Sequence, residues 1–116
     1  MLQTHAIVKK FVDVIARRDS DALQGDFKIA SVVAEEIYED IEGYFGESKG
    51  ISIAGLEQAF ELRGQRPFID VYETHDKTLG LECVLFDNGV PGEAILHVEV
   101  KQFDGQFELS YKYIGS

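Results

Sequence analysis

Five carboxylates and two tyrosines fall within one short stretch, residues 31–45, with the sequence SVVAEEIYEDIEGYF. Carboxylates on one side of a helix can accept charge-assisted hydrogen bonds from arginine and lysine, and tyrosines beside them can anchor a protein partner. The stretch contains no lysine or arginine, so like charges four residues apart each cost the helix about 0.2–0.5 kcal/mol. The candidate partner-binding residues are Glu35, Glu36, Tyr38, Glu39, Asp40, Glu42 and Tyr44.

Negative charge is concentrated around this stretch. The chain has 116 residues and a net charge of -10. Residues 26–61 contain nine acidic residues against two lysines, whereas residues 1–25 carry a slight positive excess. Such a cluster can steer a positively charged protein toward the chain and repels nucleic acid. The alternative explanation, that the charge serves solubility alone, carries equal weight at this point.

A second candidate set, from a different functional class, lies in the C-terminal half of the sequence. Asp70 and Tyr72 share one face of a predicted strand, and His97 is central on another strand of the same predicted sheet. An acid, a phenol and an imidazole lining a cavity could transfer protons in an enzyme or hold a small ligand. A cross-strand polar pair is the more common role for such a histidine.

The other residues that could bind a metal or take part in catalysis match no known type of site. The histidines His5, His75 and His97 are not spaced as metal ligands, and Cys83 has no second cysteine beside it, so we expect no metal and no cofactor. In the sequence LECVLF, Cys83 is predicted to pack into the core. The glycines match neither a phosphate-binding loop nor a dinucleotide fingerprint.

Three helices are predicted before residue 64. The first spans residues 3–18, with Thr4 as a candidate cap, and Ser20 to Leu23 can add one turn. The acidic stretch forms the second helix, with Ser31 as its N-cap. The third covers residues 53–62 after Ser52. The apolar face of the acidic helix is predicted to comprise Val33, Ile37, Ile41 and Tyr44, broadened by Phe45.

Alternating hydrophobicity predicts four strands after Pro67, at residues 68–74, 79–87, 93–103 and 107–114. Short links, including Asn88-Gly89 and Asp104-Gly105, require antiparallel neighbours. The face packed against the helices is predicted to comprise Ile69, Val71, Leu81, Cys83, Leu85, Leu96, Val98, Val100, Phe107, Leu109, Tyr111 and Tyr113. The opposite face is predicted to carry the Asp70, Tyr72 and His97 set together with Val84, Phe86 and Ile95. That face is more apolar than solvation requires, which indicates a pocket, a protein-binding patch or scattered residues without a role.

The predicted fold class is therefore α+β, an N-terminal three-helix segment packed on a four-stranded antiparallel meander. One domain is expected over residues 1–116, with a helical part at 1–64 and a sheet part at 67–116. The N-terminus lacks the features of a signal peptide, and no apolar run is long enough to span a membrane, so we expect a cytoplasmic protein without membrane partners.

Two resemblances bear on function. Helices followed by a curved antiparallel sheet resemble the cystatin-like and nuclear transport factor-like α+β superfold, which implies a cone-shaped cavity that hosts small-ligand enzymes or no activity. Small size, acidity, a single domain and the lack of catalytic motifs resemble the immunity proteins of bacterial contact-dependent inhibition and polymorphic toxin systems. That resemblance implies a cytoplasmic antitoxin that covers a basic toxin, often a nuclease domain.

The sequence favours a non-enzymatic binding protein that uses its acidic surface to neutralise a basic toxin or nuclease. The alternative is a cavity enzyme or small-ligand carrier built around Asp70, Tyr72 and His97. A homodimer formed through the apolar outer sheet face is compatible with both hypotheses.

Overall fold

The computed structural model describes residues 2–63, 66–75 and 77–116, with side chains described for all of these except 62, 63 and 75. The described helices are α1 (Leu2–Ala16), α2 (Ser20–Phe27), α3 (Ser31–Phe45) and α4 (Leu56–Ala59). The described strands are β1 (Ile51–Ser52), β2 (Leu62–Arg63), β3 (Arg66–Pro67), β4 (Ile69–His75), β5 (Thr78–Asp87), β6 (Val90–Phe103) and β7 (Gln106–Gly115).

Strands β4 to β7 form an antiparallel meander, which confirms the predicted α+β class with helices first and sheet second. β5 and β6 are the inner strands of this sheet. β4 and the short β1 both pair with β5, β4 along residues 78–83 and β1 at Phe86 and Asp87. β7 pairs with β6 and forms the opposite edge. Because β1 belongs to the sheet, the predicted division into a helical part and a sheet part at residue 64 is too simple.

The helices lie on one face of the sheet, and a single hydrophobic core fills the space between the two layers. α1 is its centre, because Val8, Phe11, Val12 and Ile15 are at most 1% exposed. The sheet contributes alternate residues of β5, β6 and β7, as the period-two pattern predicts. These buried sheet residues are Leu81, Cys83, Leu85, Leu96, Val98, Val100 and Leu109.

Two hairpins fix the register of the meander. Asn88 and Gly89 have φ of 51° and 83°, and Asp104 and Gly105 have φ of 51° and 74°. Two successive positive φ values define the type I′ turn, whose twist matches that of paired strands. Strands β5 and β6 therefore extend to Asp87 and Val90, leaving a loop of two residues, which is shorter than the predicted link.

The acidic helix is rotated relative to the prediction. Its buried residues are Ala34, Ile37, Tyr38 and Ile41, a set spaced i, i+3, i+4, i+7. Tyr38 is therefore the buried tyrosine of this helix, whereas Tyr44, which was predicted on the core face, is exposed. The predicted cap is also wrong, because Ala30 is the N-cap and makes no side-chain hydrogen bond there.

Three other predictions about the helical part are wrong. α1 begins at Leu2, so Thr4 is a buried helical residue and not a cap. The single turn predicted at Ser20 is a full helix, and the side chain of Asp19 caps it by accepting a hydrogen bond from the Ala22 amide at 3.1 Å. The helix predicted over residues 53–62 is reduced to α4.

An irregularity in the sheet overturns the predicted face of Tyr113. The register between β6 and β7 shifts after the His97–Tyr113 pair, which leaves one extra residue, Lys112, in β7. Tyr113 therefore points to the outer face, where it is 54% exposed, and Ile114 takes its place in the core. Phe86, which was predicted on the same outer face as Val84, is buried, and its ring packs edge-on against Phe68 at 5.0 Å between centroids.

Candidate functional site

The clustered carboxylates of α3 form an exposed surface. Glu35, Glu36, Glu39 and Asp40 are all exposed, because the helix directs Ile37, Tyr38 and Ile41 into the core instead. We call these four residues the acidic surface. Val32, one turn before Glu36, is 66% exposed and gives the surface an apolar border that was not predicted from the sequence.

Within the described part of the chain, few basic side chains neutralise the carboxylates of α3. Of the five α3 carboxylates, Glu42 pairs with Arg18 at 2.9 Å between Nη1 and Oε2, and both side chains are nearly half exposed. Lys9 and Lys10 pair with Asp13 and Asp26, outside α3. Among the described residues, no ion pair involves any member of the acidic surface. Its four charges are therefore free to attract a cation from outside.

The two tyrosines of α3 have different environments. Tyr38 is 2% exposed, its hydroxyl lies 3.0 Å from Ser20 Oγ, and the Arg18 guanidinium lies 4.3 Å from its ring centroid. The prediction that Tyr38 is an exposed anchor is therefore wrong, and Tyr38 instead joins α2 to α3. Tyr44 is 40% exposed and remains available to a partner at the C-terminal end of the helix.

The acidic surface continues toward the edge strand β7. Burial and the nearby Asp40 and Glu36 carboxylates together raise the pKa of Tyr111 to about 12, although a hydrogen bond from the Ile114 backbone opposes the shift. The Tyr111 ring is half-buried and packs against Phe11 at 6.1 Å between centroids. Two of the four surface carboxylates therefore border β7, and the others lie farther around the helix.

An open cleft of about 590 Å³ lies between β7 and the segment that joins α2 to α3. Its apolar lining includes Ile29, Val33, Phe107 and Tyr111, and the exposed Phe103 stands at its mouth. Asp26 and Glu108 add carboxylates to the lining. The sequence does not reveal this cleft, because the alternation in β7 gives the face of each residue but not what lies beside β7 at the edge of the sheet.

The alternative set lies on the outer face of the sheet. Asp70 pairs across strands with Glu82, and Glu82 with His97, so the acid and the histidine share one cross-strand row. Tyr72 lies in the next row, opposite Gly80. The structure thus places the three predicted residues on one face of the sheet, in two neighbouring rows that cross β4, β5 and β6.

The surroundings of these residues are polar and open. His97 stacks on Tyr113 with 4.0 Å between ring centroids, and Arg66 forms an ion pair with Glu82. Partial burial and the nearby Glu82 and Glu99 carboxylates are the main factors that raise the pKa of Tyr72, which is nonetheless 44% exposed. A base and an acid poised for proton transfer would need shielding from water that an open sheet face does not supply.

Two further clefts lie away from this set. One of about 770 Å³ is lined by the start of α1 and the β4–β5 end of the sheet, including Gln3, Glu73 and Lys77. The other, of about 510 Å³, is a shallow depression beside Lys9 and Lys49. Asp70, Tyr72 and His97 line none of the three clefts.

Cys83 lies in the core, as predicted. It is fully buried, and burial is the main factor that raises the pKa of its thiol to about 12. Within the described part of the chain, no group of three or more histidine, cysteine, aspartate or glutamate side chains is arranged to hold a metal ion. Across the same residues, no helix has the length and apolar character that crossing a membrane would need.

Comparisons with known proteins leave the geometry as the guide to function. No protein-family model, no curated protein and no solved structure matches this chain.

Proposed function

We propose that this protein is a non-enzymatic binding protein that docks its acidic surface on a basic protein partner. The partner class that best fits is a toxin or nuclease domain, whose own nucleic-acid-binding surface must be positive. In this role the protein acts as an immunity protein or toxin inhibitor that covers the positive surface of its target.

One observation carries the proposal: four adjacent carboxylates on α3 are exposed and have no ion-pair partner among the described residues. A helix that needed charge for solubility alone gains more from mixed signs, because opposite charges four residues apart stabilise it and like charges destabilise it. The protein retains the like-charge pairs Glu35–Glu39 and Glu36–Asp40 at a cost of about 0.2–0.5 kcal/mol each. A binding role accounts for that cost.

The composition of the surface also fits an interface. Carboxylates give fast, salt-dependent association, whereas aromatic and apolar side chains supply most of the binding free energy. Tyr44 and Val32 are exposed at the two ends of the acidic surface and can serve as such contacts. The surface thus offers both steering and anchoring on one helix.

The test compares two variants with the same net charge. Glu39→Lys/Asp40→Lys reverses two charges within the acidic surface, and Glu61→Lys/Glu93→Lys reverses two exposed acids elsewhere. A basic partner is first isolated with the wild-type protein at low ionic strength, and association rates are then measured by stopped flow across a salt series. We expect the first variant to associate about 10-fold more slowly than wild type at low salt and the second less than 2-fold more slowly.

Two results would contradict the proposal. One is equal slowing by both variants, which would show a general effect of net charge. The other is the absence of any basic protein from the material retained by the wild-type protein. Circular dichroism of both variants checks that folding is preserved, which we expect because all four substituted side chains are exposed.

A further inference from the structure

The free edge of β7 lies beside the acidic surface. Among the described residues, β7 pairs with β6 alone, and no backbone hydrogen bond outside the helices and strand ladders involves residues 106–115. An unpaired strand edge presents a row of amide and carbonyl groups that can pair with another extended chain.

The hairpin geometry shows which groups face outward. Phe103 and Gln106 close a two-residue type I′ turn, so this pair exchanges hydrogen bonds across the hairpin, and the pattern alternates from there. Gln106, Glu108 and Ser110 therefore direct their amides and carbonyls toward β6. Those of Phe107, Leu109 and Tyr111 point to the free edge.

Only part of this edge is protected against pairing. Natural edge strands are blunted by bulges, lysine or proline. β7 has a bulge at Lys112, and the Ile114 amide hydrogen-bonds to the Tyr111 side chain. Residues 106–111, in contrast, are regular and contain no proline. About six residues of unprotected edge remain.

The surroundings of this edge define what can occupy it. On the helix side lies the cleft of about 590 Å³, with Val33, Phe107 and Tyr111 in its lining. Negative charge predominates there: Asp26 and Glu108 line the cleft together with Lys28, the single cation among its described lining residues, and Glu36 and Asp40 lie close enough to Tyr111 to affect it electrostatically. A strand added here would place alternate side chains in the cleft and the others beside Glu108 on the outer face.

We propose that the basic partner contributes an extended segment that adds to the sheet as a strand alongside residues 106–111 of β7. This inference rests on the proposed function and specifies how that partner binds. Backbone pairing supplies affinity, apolar side chains of the segment enter the cleft, and its lysine or arginine residues meet Glu108 on the outer face. Glu36 and Asp40 attract the basic segment from the helix side. A second copy of this chain is disfavoured, because pairing two β7 edges brings the same carboxylates together.

The test uses a synthetic probe, the peptide Lys-Val-Lys-Val-Lys-Val-Lys, and two N-methylated forms. One form is methylated on the valine amides and the other on the lysine amides, so charge is the same in all three. An added strand directs only one of these two sets of amides toward β7. We expect one methylated form to bind at least 10-fold more weakly than the unmodified peptide, and the other to bind within about 3-fold of it, in calorimetry at low salt.

Amide hydrogen exchange gives the residue-level readout. In the free protein, the amides of Glu108 and Ser110 should be protected and those of Phe107, Leu109 and Tyr111 should exchange faster. Saturation with the unmodified peptide should slow exchange at the three outward amides. The variant Glu36→Lys/Asp40→Lys should weaken binding of all three peptides, whereas Glu61→Lys/Glu93→Lys should have little effect.

Three results would overturn strand addition. The first is equal affinity of the wild-type protein for all three peptides, together with loss of binding in Glu36→Lys/Asp40→Lys. This result would leave the proposed acidic docking intact. The second is the absence of measurable binding by the unmodified peptide; the capture of a basic partner then tests the proposed function separately. The third is a stable dimer in light scattering with Phe107, Leu109 and Tyr111 already protected, which would assign the edge to a second copy.

Discussion

Raising the pH should destabilise this protein through its buried thiol. Cys83 is fully buried, and burial raises its pKa to about 12 in the folded state. A free thiol has a pKa of about 8.5. Because the folded pKa is the higher one, the native state has its full stability below the unfolded pKa and loses it as the pH rises toward 12.

The size of the effect follows from the number of protons released on unfolding. Between about pH 9 and pH 12, the unfolded chain has lost the thiol proton and the folded chain retains it, so stability falls by about 1.4 kcal/mol per pH unit. At pH 11 the loss from Cys83 alone is roughly 3 kcal/mol, a large share of the 5–15 kcal/mol typical of a domain. Tyr111 adds a smaller decrease above about pH 10, because its ring is only half-buried and solvent screens the charge.

Urea unfolding followed by circular dichroism at pH 8, 9, 10 and 11 measures this dependence. Cys83→Ala should be less stable than wild type at pH 8, since it removes a buried side chain, but its stability should fall less steeply above pH 9. The difference in slope should be about 1.4 kcal/mol per pH unit. Parallel pH profiles for wild type and Cys83→Ala would refute the assignment of the raised pKa to this thiol. Tyr111→Phe serves as the second comparison.

Two further substitutions test local contacts. Tyr38→Phe removes the hydroxyl that lies 3.0 Å from Ser20, and should cost about 1 kcal/mol in urea unfolding; a cost near zero would show that water replaces the bond fully. Gly80→Ala places a methyl group 2.4 Å from Tyr72 Cε2, so the ring must leave its position and stability should fall. In a Tyr72→Ala background the same change should stabilise by about 0.4–1 kcal/mol, and equal effects in both backgrounds would contradict the contact.

The sequence predicted the meander well because local signals specify it. Asn88-Gly89 and Asp104-Gly105 favour positive φ values at consecutive residues, and period-two hydrophobicity locates the strands between the turns. The face of Tyr113 was predicted wrongly for a different reason. The bulge at Lys112 reverses the alternation beyond it, and the hydrophobic pattern of β7 does not reveal that bulge.

The helices show a second limit. The period of residues 31–45 predicted α3 correctly, but two rotations of the helix fit an apolar set that includes two tyrosines. Packing against the start of α2 and the turn before it favours the rotation that buries Tyr38. Arg18, in that turn, contacts the Tyr38 ring, and Ser20 contacts its hydroxyl. Those contacts join residues 18 and more positions apart, which a local pattern cannot report.

The candidate site was predictable in its charges and not in its shape. Exposed carboxylates on α3 follow from the sequence once the core face is known. The cleft beside β7 depends on which strand lies at the edge of the sheet and on how the segment before α3 approaches it. Both are properties of the assembled fold.

The order of the layers along the chain has a consequence during synthesis. α1 leaves the ribosome before the sheet does, yet the core that contains Val8, Phe11 and Ile15 also includes residues of β6 and β7, which follow it by more than 70 residues. Until Leu109 and Ile114 have emerged, the apolar side of the helices has no complete partner. The native core therefore forms only after β7 has been made, and a premature stop within β7 should yield a chain that chaperones or proteases remove.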